Sequence, residues 1–279
     1  MTDVLRTQRY ARTLSIAGSD SGGGAGIQAD LKTFAALGCF GMTAITALTA
    51  QNTTGVRSIH AVPPQMLADQ IDAVVEDIGV DAVKIGMLHS VEIIHTVAQA
   101  IDRHALQPVV LDPVMVATSG AVLIDHAALD TLVAQLFPRA TVVTPNLDEA
   151  ALLVGRPLHS ESDMEAAARQ LLARGARAVL LKGGHLAGDA VCDLLAQGDQ
   201  LHWMRAPRIA TANTHGTGCT LSSAIAAQLA LGCTLEAAVE AARHYVRGAL
   251  QNAANVRCGQ GSGPLNHGFA PLPQRILGA

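Results

Sequence analysis

From residue 13 onward, short aliphatic runs alternate with longer stretches in which apolar residues recur at spacings of three and four. That rhythm predicts parallel strands joined by crossover helices: an α/β fold with a mostly parallel central sheet and helices on both faces. Strands are expected at 13–17, 43–49, 82–85, 109–111, 141–143 and 178–181, and helices at 25–37, 65–78, 91–104, 126–136 and 163–174. The segment 191–204 reads differently. Two alternating runs flank a Gly198-Asp199 turn dipeptide, which predicts an antiparallel hairpin at the sheet edge. Helices follow at 218–231 and 235–255, then a Gly/Pro-rich tail from 259. No repeat or low-complexity linker interrupts the pattern, so residues 13–279 are expected to form one domain behind a flexible leader, 1–12. Polar residues gather where the strands end, and in an open α/β sheet the ligand sits beyond the carboxyl ends of the strands.

Composition narrows the function classes. The 279 residues carry 19 Lys and Arg against 23 Asp and Glu, a net charge of −4 with no block of like charge, which argues against a nucleic-acid partner. With 49% hydrophobic and 15% charged residues the chain is not disordered, and one Trp, two Tyr and four Phe leave the core mainly aliphatic. Cys39, Cys192, Cys219, Cys233 and Cys258 are odd in number and never in a C-x-x-C pair. Neither a disulfide framework nor a zinc ribbon is indicated, and a reduced, cytoplasmic setting is expected. No stretch approaches the roughly 18 apolar residues that span a bilayer, so no membrane partner is expected, and 1–12 has no apolar run to make a signal peptide. Aliphatic faces on a sparsely charged chain, with a hairpin short for a lid, lead us to expect a homodimer.

Several strand ends carry candidate chemistry. After the first strand, Gly18-Ser19-Asp20-Ser21-Gly22-Gly23-Gly24-Ala25-Gly26 lets backbone N–H groups approach a ligand at a helix start, or merely makes a tight turn. Gly24 to Ala29 also fits the dinucleotide pattern G-x-G-x-x-A, but the second strand ends in Ala50-Gln51-Asn52 without the acid that a ribose needs, which counts against an NAD-dependent oxidoreductase. A stronger signal is Thr214-His215-Gly216-Thr217-Gly218-Cys219-Thr220, a glycine-spaced turn running into a helix of small residues. Its amides and helix dipole suit the oxygens of a transferring phosphoryl group, and they would lower the pKa of Cys219 in the first turn. A lone cysteine before such a helix is otherwise a packing residue. No P-loop occurs, so ATP must be held another way. Asp112-Pro113-Val114-Met115, Thr144-Pro145-Asn146 with Glu149, and Lys182-Gly183-Gly184-His185 supply the parts: carboxylates for Mg²⁺ through water and a lysine for phosphate. Taken singly, Asp112 and Asn146 would serve as caps, Glu149 as a solvated first-turn residue and Lys182 as a snorkelling strand end.

Together with Lys84-Ile85-Gly86-Met87, these motifs in this order resemble the hydroxymethylpyrimidine/phosphomethylpyrimidine kinases of thiamine biosynthesis, from about residue 13 into the tail. The resemblance implies a ribokinase-like three-layer sandwich and transfer from ATP, with Mg²⁺, to a hydroxymethylpyrimidine and then to its monophosphate. It implies that Gln51 bonds the aminopyrimidine edge while Gly18, Asp30, Met87 and Val114 line the pocket around the ring. Lys182, Asn146, Gly216 and Gly218 would hold ATP, and Asp112 and Glu149 the metal. Gly216, Thr217, Gly218 and Cys219 would form the catalytic turn, with Cys219 in the place where related sugar kinases have Asp. Pyridoxal kinase is the nearest rival within that fold, and a non-catalytic pyrimidine-binding protein is the rival outside enzymes.

Overall fold

The computed structural model describes residues 8–115, 126–186 and 188–278. Among the described residues nine strands form one sheet, in the order β10 (Gln200–Pro207), β9 (Ala190–Gln197), β8 (Val179–Leu181), β7 (Val142–Val143), β6 (Val109–Leu111), β5 (Ala82–Ile85), β2 (Arg12–Asp20), β3 (Phe40–Asn52) and β4 (Gly55–Ala61). Its parallel centre consists of β2, β3, β5, β6, β7 and β8. The expected hairpin is present as β9 and β10, antiparallel, with β10 outermost. At the other edge lies β4, antiparallel to β3, which the hydrophobic pattern did not predict: its residues 57–61 are exposed, so no apolar alternation marks it.

Alternation along the buried strands divides the core in two. Val83 and Ile85 of β5, Val109 and Leu111 of β6, and Val179 and Leu181 of β8 face one layer, built from α2 (Pro64–Asp77), α3 (Val91–His104), α4 (His126–Leu136), α5 (Leu147–Val154) and α6 (Glu161–Ala173). Ala82, Val110 and Leu180 face the other, built from α1 (Gly26–Ala36), α7 (Thr217–Ala230) and α8 (Leu235–Ala253). The result is the three-layer α/β sandwich that the periodicity implies. Helix α7 reaches the sheet through Ala224, Ala226 and Ala227, all fully buried; small side chains let its axis come close and carry its first turn over the strand ends. The eight residues of α5 follow a strand end where the sequence offers Asn146 as a cap and Glu149 as a first-turn residue but predicts no helix. Its start is a capping box, in which Asn146 Oδ1 accepts from the Glu149 amide at 2.9 Å and Glu149 Oε2 from the Asn146 amide at 2.7 Å.

The expected leader needs correction. Residues 1–7 lie outside the described residues, but Gln8–Tyr10 form β1, which pairs with β11 (Ile276–Gly278) in a two-stranded sheet, and Arg12 begins β2. The backbone groups of β1 find partners only when the far end of the chain comes alongside, and nothing local in the sequence signals that. No described helix is long and apolar enough to cross a membrane.

Candidate active site

Chain order places the sheet's switch point at β2, whose neighbours are β3 on one side and β5 on the other. Two cavities open along the strand ends near it. They share the first turn of α7: Gly218 lines the larger, of about 330 Å³, and Cys219 lines the smaller, of about 100 Å³.

The turn between them is built around Gly216, the N-cap of α7. Its φ is +84°, and a Cβ there would stand 1.9 Å from the Gly24 carbonyl oxygen, so only glycine fits. No side chain caps this helix start. Thr217 turns its hydroxyl and its amide back onto the Thr214 carbonyl, at 2.7 and 3.2 Å, while among the described residues no backbone acceptor takes the Gly218 and Cys219 amides that follow. Tight contact with Gly24 also docks the loop after β2 against the loop before α7. His215 Nε2 meets Asp20 Oδ2 at 2.8 Å, and Asp20 accepts from the amides of Gly22, Gly24 and Ala25. Burial would raise the Asp20 pKa, but His215 and those amides outweigh it and hold the carboxyl below its usual range. Neither Asp20 nor His215 was singled out from the sequence, although both sit inside motifs that were.

The larger cavity receives Lys182, Asn146, Thr217 and Gly218, which the sequence assigned to the phosphate side, and adds His185, Asp193, Arg208 and Arg243. Lys182 Nζ lies 2.8 Å from Asp112 Oδ1 and 3.8 Å from Glu149 Oε2, and a Cβ on Gly218 would be 3.1 Å from it. The ammonium therefore stands directly over the start of α7. Burial pulls its pKa down, yet Asp112 and Glu149 hold it above the ordinary value. Asp112, itself buried, stays below its usual range because Lys182 and Lys84 outweigh the cost of burial. Burial wins at Glu149: with Asp112 beside it and despite Lys182, the carboxyl is pushed up to about 7. It is not the solvated residue that a first-turn position suggests, being 5% exposed.

The smaller cavity gathers Gly18 of β2, Gln51 of β3, Met87 after β5, Val114 after β6 and Cys219 of α7. A Cβ on Gly18 would meet the Met87 methyl at 2.7 Å, so the missing side chain makes room for the wall. Gln51 Oε1 accepts from Thr49 at 3.1 Å, and among the described residues nothing takes its amide N–H groups. Two expectations fail here. Asp30 does not line the cavity; it is buried in α1 behind Lys84, which does. The Cys219 thiol is not lowered by the helix start. Burial, with Asp30 and Asp112 near, pushes it up to about 11 against the pull of Lys84 and the Gly26 amide. Lys84 was legible in principle, as a charge inside the aliphatic strand Ala-Val-Lys-Ile, where burial demands a partner.

Comparison with known proteins adds the following. A family model described as phosphomethylpyrimidine kinase matches residues 20–266. A hydroxymethylpyrimidine/phosphomethylpyrimidine kinase of Streptomyces coelicolor is 52% identical over 257 residues, 92% of this chain and 94% of that protein. The thiamine biosynthesis bifunctional protein ThiED of Geobacter sulfurreducens is 54% identical over 255 residues, and the match covers 91% of this chain but 51% of that protein. The chain thus spans about half of that bifunctional relative and nearly all of the S. coelicolor kinase. Among solved structures, an ADP complex of Bacillus subtilis pyridoxal kinase superposes with a TM-score of 0.85 at 38% identity, covering 93% of this chain and 98% of that one.

Proposed function

This chain belongs to the phosphomethylpyrimidine kinase family, and from that premise we propose that it is an ATP-dependent kinase of thiamine biosynthesis with the ribokinase-like fold. It phosphorylates the hydroxymethyl group of 4-amino-5-hydroxymethyl-2-methylpyrimidine and then the resulting monophosphate. The observation that carries this reading is the pair of consecutive residues, Gly218 and Cys219, facing two cavities of unequal size: one has room for a nucleotide and the other for a small ring.

ATP lies in the larger cavity, its phosphates over the Gly216 to Gly218 turn, with Asn146 and Lys182 beside them. Phosphoryl transfer depends chiefly on positioning and charge neutralisation, and the Gly218 and Cys219 amides, the dipole of α7 and the Lys182 ammonium supply both. Asp112 and Glu149 fit Mg²⁺ by the chemistry of their donors: both offer hard carboxylate oxygens, 2.8 and 3.8 Å from the Lys182 ammonium that lines the larger cavity. They would hold the ion through water, where it neutralises phosphate charge. In the smaller cavity Gln51 offers a donor and an acceptor to the aminopyrimidine edge, between apolar walls from Met87 and Val114. The hydroxymethyl then points at Cys219, which takes its proton as the oxygen attacks the γ-phosphorus in line.

Phosphorus NMR of products from ATP, Mg²⁺ and hydroxymethylpyrimidine tests the reading. Successive monophosphate and diphosphate signals are expected. Faster turnover of pyridoxal would transfer the assignment to the B. subtilis neighbour's activity, and no ATP consumption with either alcohol would leave a binding protein. A homodimer is also proposed, supported by the exposed edge strand β4 with its own Ile59, 44% exposed, and by Leu48 of the neighbouring β3, 47% exposed. Light scattering at micromolar concentration should give twice the chain mass of 28.8 kDa.

A further inference from the structure

A thiol that must accept a proton is poorly served by burial, and Cys219 at about 11 is roughly one part in 10⁴ thiolate at pH 7. Something fixed in the protein has to offset that. The wall of the smaller cavity holds a lysine, Lys84, that the reading above leaves unused. Lys84 sits on β5, where Ala82 and Lys84 face α1 and α7 while Val83 and Ile85 face the opposite layer. An aliphatic residue would fill its place at far lower cost, because a charge in the interior must be desolvated. Yet Lys84 is fully buried.

Its surroundings are built to keep it charged. Lys84 Nζ donates to both oxygens of Asp30, at 2.9 and 2.8 Å. The same two oxygens accept from Ser223 of α7 and Ser15 of β2, each at 2.6 Å. Asp30 is thus saturated by donors from three other elements, and it cannot turn toward the cavity. Gly86 leaves space for the ammonium, since a Cβ there would come within 2.8 Å of Lys84 Nζ. An ammonium has three N–H donors, and among the described residues no acceptor takes the third. That donor belongs to a group lining the same cavity as Cys219.

We propose that Lys84 is a positioning residue for the phosphoryl transfer: held by Asp30, Ser15 and Ser223, its ammonium stabilises the Cys219 thiolate that takes the substrate's hydroxyl proton. The inference rests on the kinase reading. In the step, the proton passes from the hydroxyl to Cys219 Sγ, the oxygen forms its bond to the γ-phosphorus, and the bond from that phosphorus to the ADP oxygen breaks with its electron pair leaving on ADP. The thiol afterwards returns its proton to water. Other charges act on Cys219 from the elements packed about it: Asp30 of α1 and Asp112 after β6 oppose the thiolate, Lys182 after β8 favours it, and the Asp20 and His215 pair lines the same cavity. Lys84 is the strongest of the favourable ones.

The test is steady-state kinetics of hydroxymethylpyrimidine phosphorylation by the wild type, Lys84→Met, and the double variant Lys84→Met/Asp30→Asn. The double variant removes both charges, so no buried carboxylate is left without a counter-ion, and the new carboxamide can still bond both serines, accepting from one and donating to the other. Either folded variant should lose at least about tenfold in kcat with KM for ATP and pyrimidine changed less than about threefold, and the alkaline rise of kcat should move to higher pH. In a Cys219→Ala background the Lys84 change should cost nothing further, because its effect passes through the sulfur. A folded variant with kcat within about threefold of wild type, or an equal loss with and without Cys219, would reduce Lys84 to a structural ion pair. A wild type that forms no monophosphate would overturn the kinase reading itself, and the inference with it.

Discussion

Gln51 and Cys219 reach the smaller cavity from different elements, and each can be tested by removing one group. Gln51→Leu keeps the apolar wall but deletes the donor and acceptor proposed for the pyrimidine edge. Pyrimidine binding should weaken by about 1–3 kcal/mol with ATP binding unchanged, as read by calorimetry; equal affinity would make Gln51 a strand-end amide bonded to Thr49. Cys219→Ala should lower kcat by about 10²- to 10⁴-fold, the usual range for a general base, while leaving both KM values nearly intact. The raised thiol adds a check on the free protein: iodoacetamide at pH 7 should label exposed Cys258 well before Cys219, as followed by peptide mass spectrometry. Residue identity alone puts a cysteine in the turn proposed to be catalytic. Its ionisation was misjudged, because a helix start is only one influence, and burial beside Asp30 and Asp112 outweighs it.

At the scale of elements, the site depends on how closely two loops approach. Gly216 touches the Gly24 carbonyl from a left-handed backbone, so Gly216→Ala forces the loops apart and strains φ together. Loss of about 2–4 kcal/mol of stability is expected, with ATP binding reduced by more than tenfold, measured by thermal denaturation and by calorimetry. A variant that binds ATP as tightly as the wild type would show that the turn does not hold the phosphates. The same scale explains which elements were visible beforehand. Helix 91–104 was read with the bounds the structure has, because its apolar face repeats cleanly and Ser90 caps it. Helix α5 is not predicted: Asn146 is expected as a cap and Glu149 as a first-turn residue, but the eight residues Leu147–Val154 are too few to show a helical period. Asn146 and Glu149 form the cap and are proposed for the site as well, and a sequence motif cannot separate two uses of one residue.

Across the whole molecule, the tail closes the structure by packing His267 against α7. His267 Nε2 meets Thr220 Oγ1 at 2.9 Å, and Tyr245 donates to the His267 carbonyl at 2.8 Å. Burial, with Lys32 near, pulls the His267 pKa from 6.5 down to about 4. Between those values the unfolded chain takes up a proton that the folded one refuses. Stability from this group is therefore complete above about pH 6.5 and is lost as pH falls toward 4, by at most about 3 kcal/mol. Urea midpoints of the wild type should fall over that window, and His267→Gln should flatten the slope; an unchanged slope would assign it to other groups.

The alternation of aliphatic runs and helical spacings by itself determined the layers, the parallel centre of the sheet, the hairpin at its edge, and the strand ends at which site residues gather. These follow from local periodicity, because each element must bury one face. What the tertiary structure alone decided depends on contacts between distant segments. Strand β1 exists only beside β11, and Asp20 becomes a partner of His215 across 195 positions. Asp30 leaves the ligand wall because Lys84, Ser15 and Ser223 claim all of its acceptor capacity. Charge balance in a buried site is a sum over neighbours from several elements, and no single stretch of sequence contains that sum.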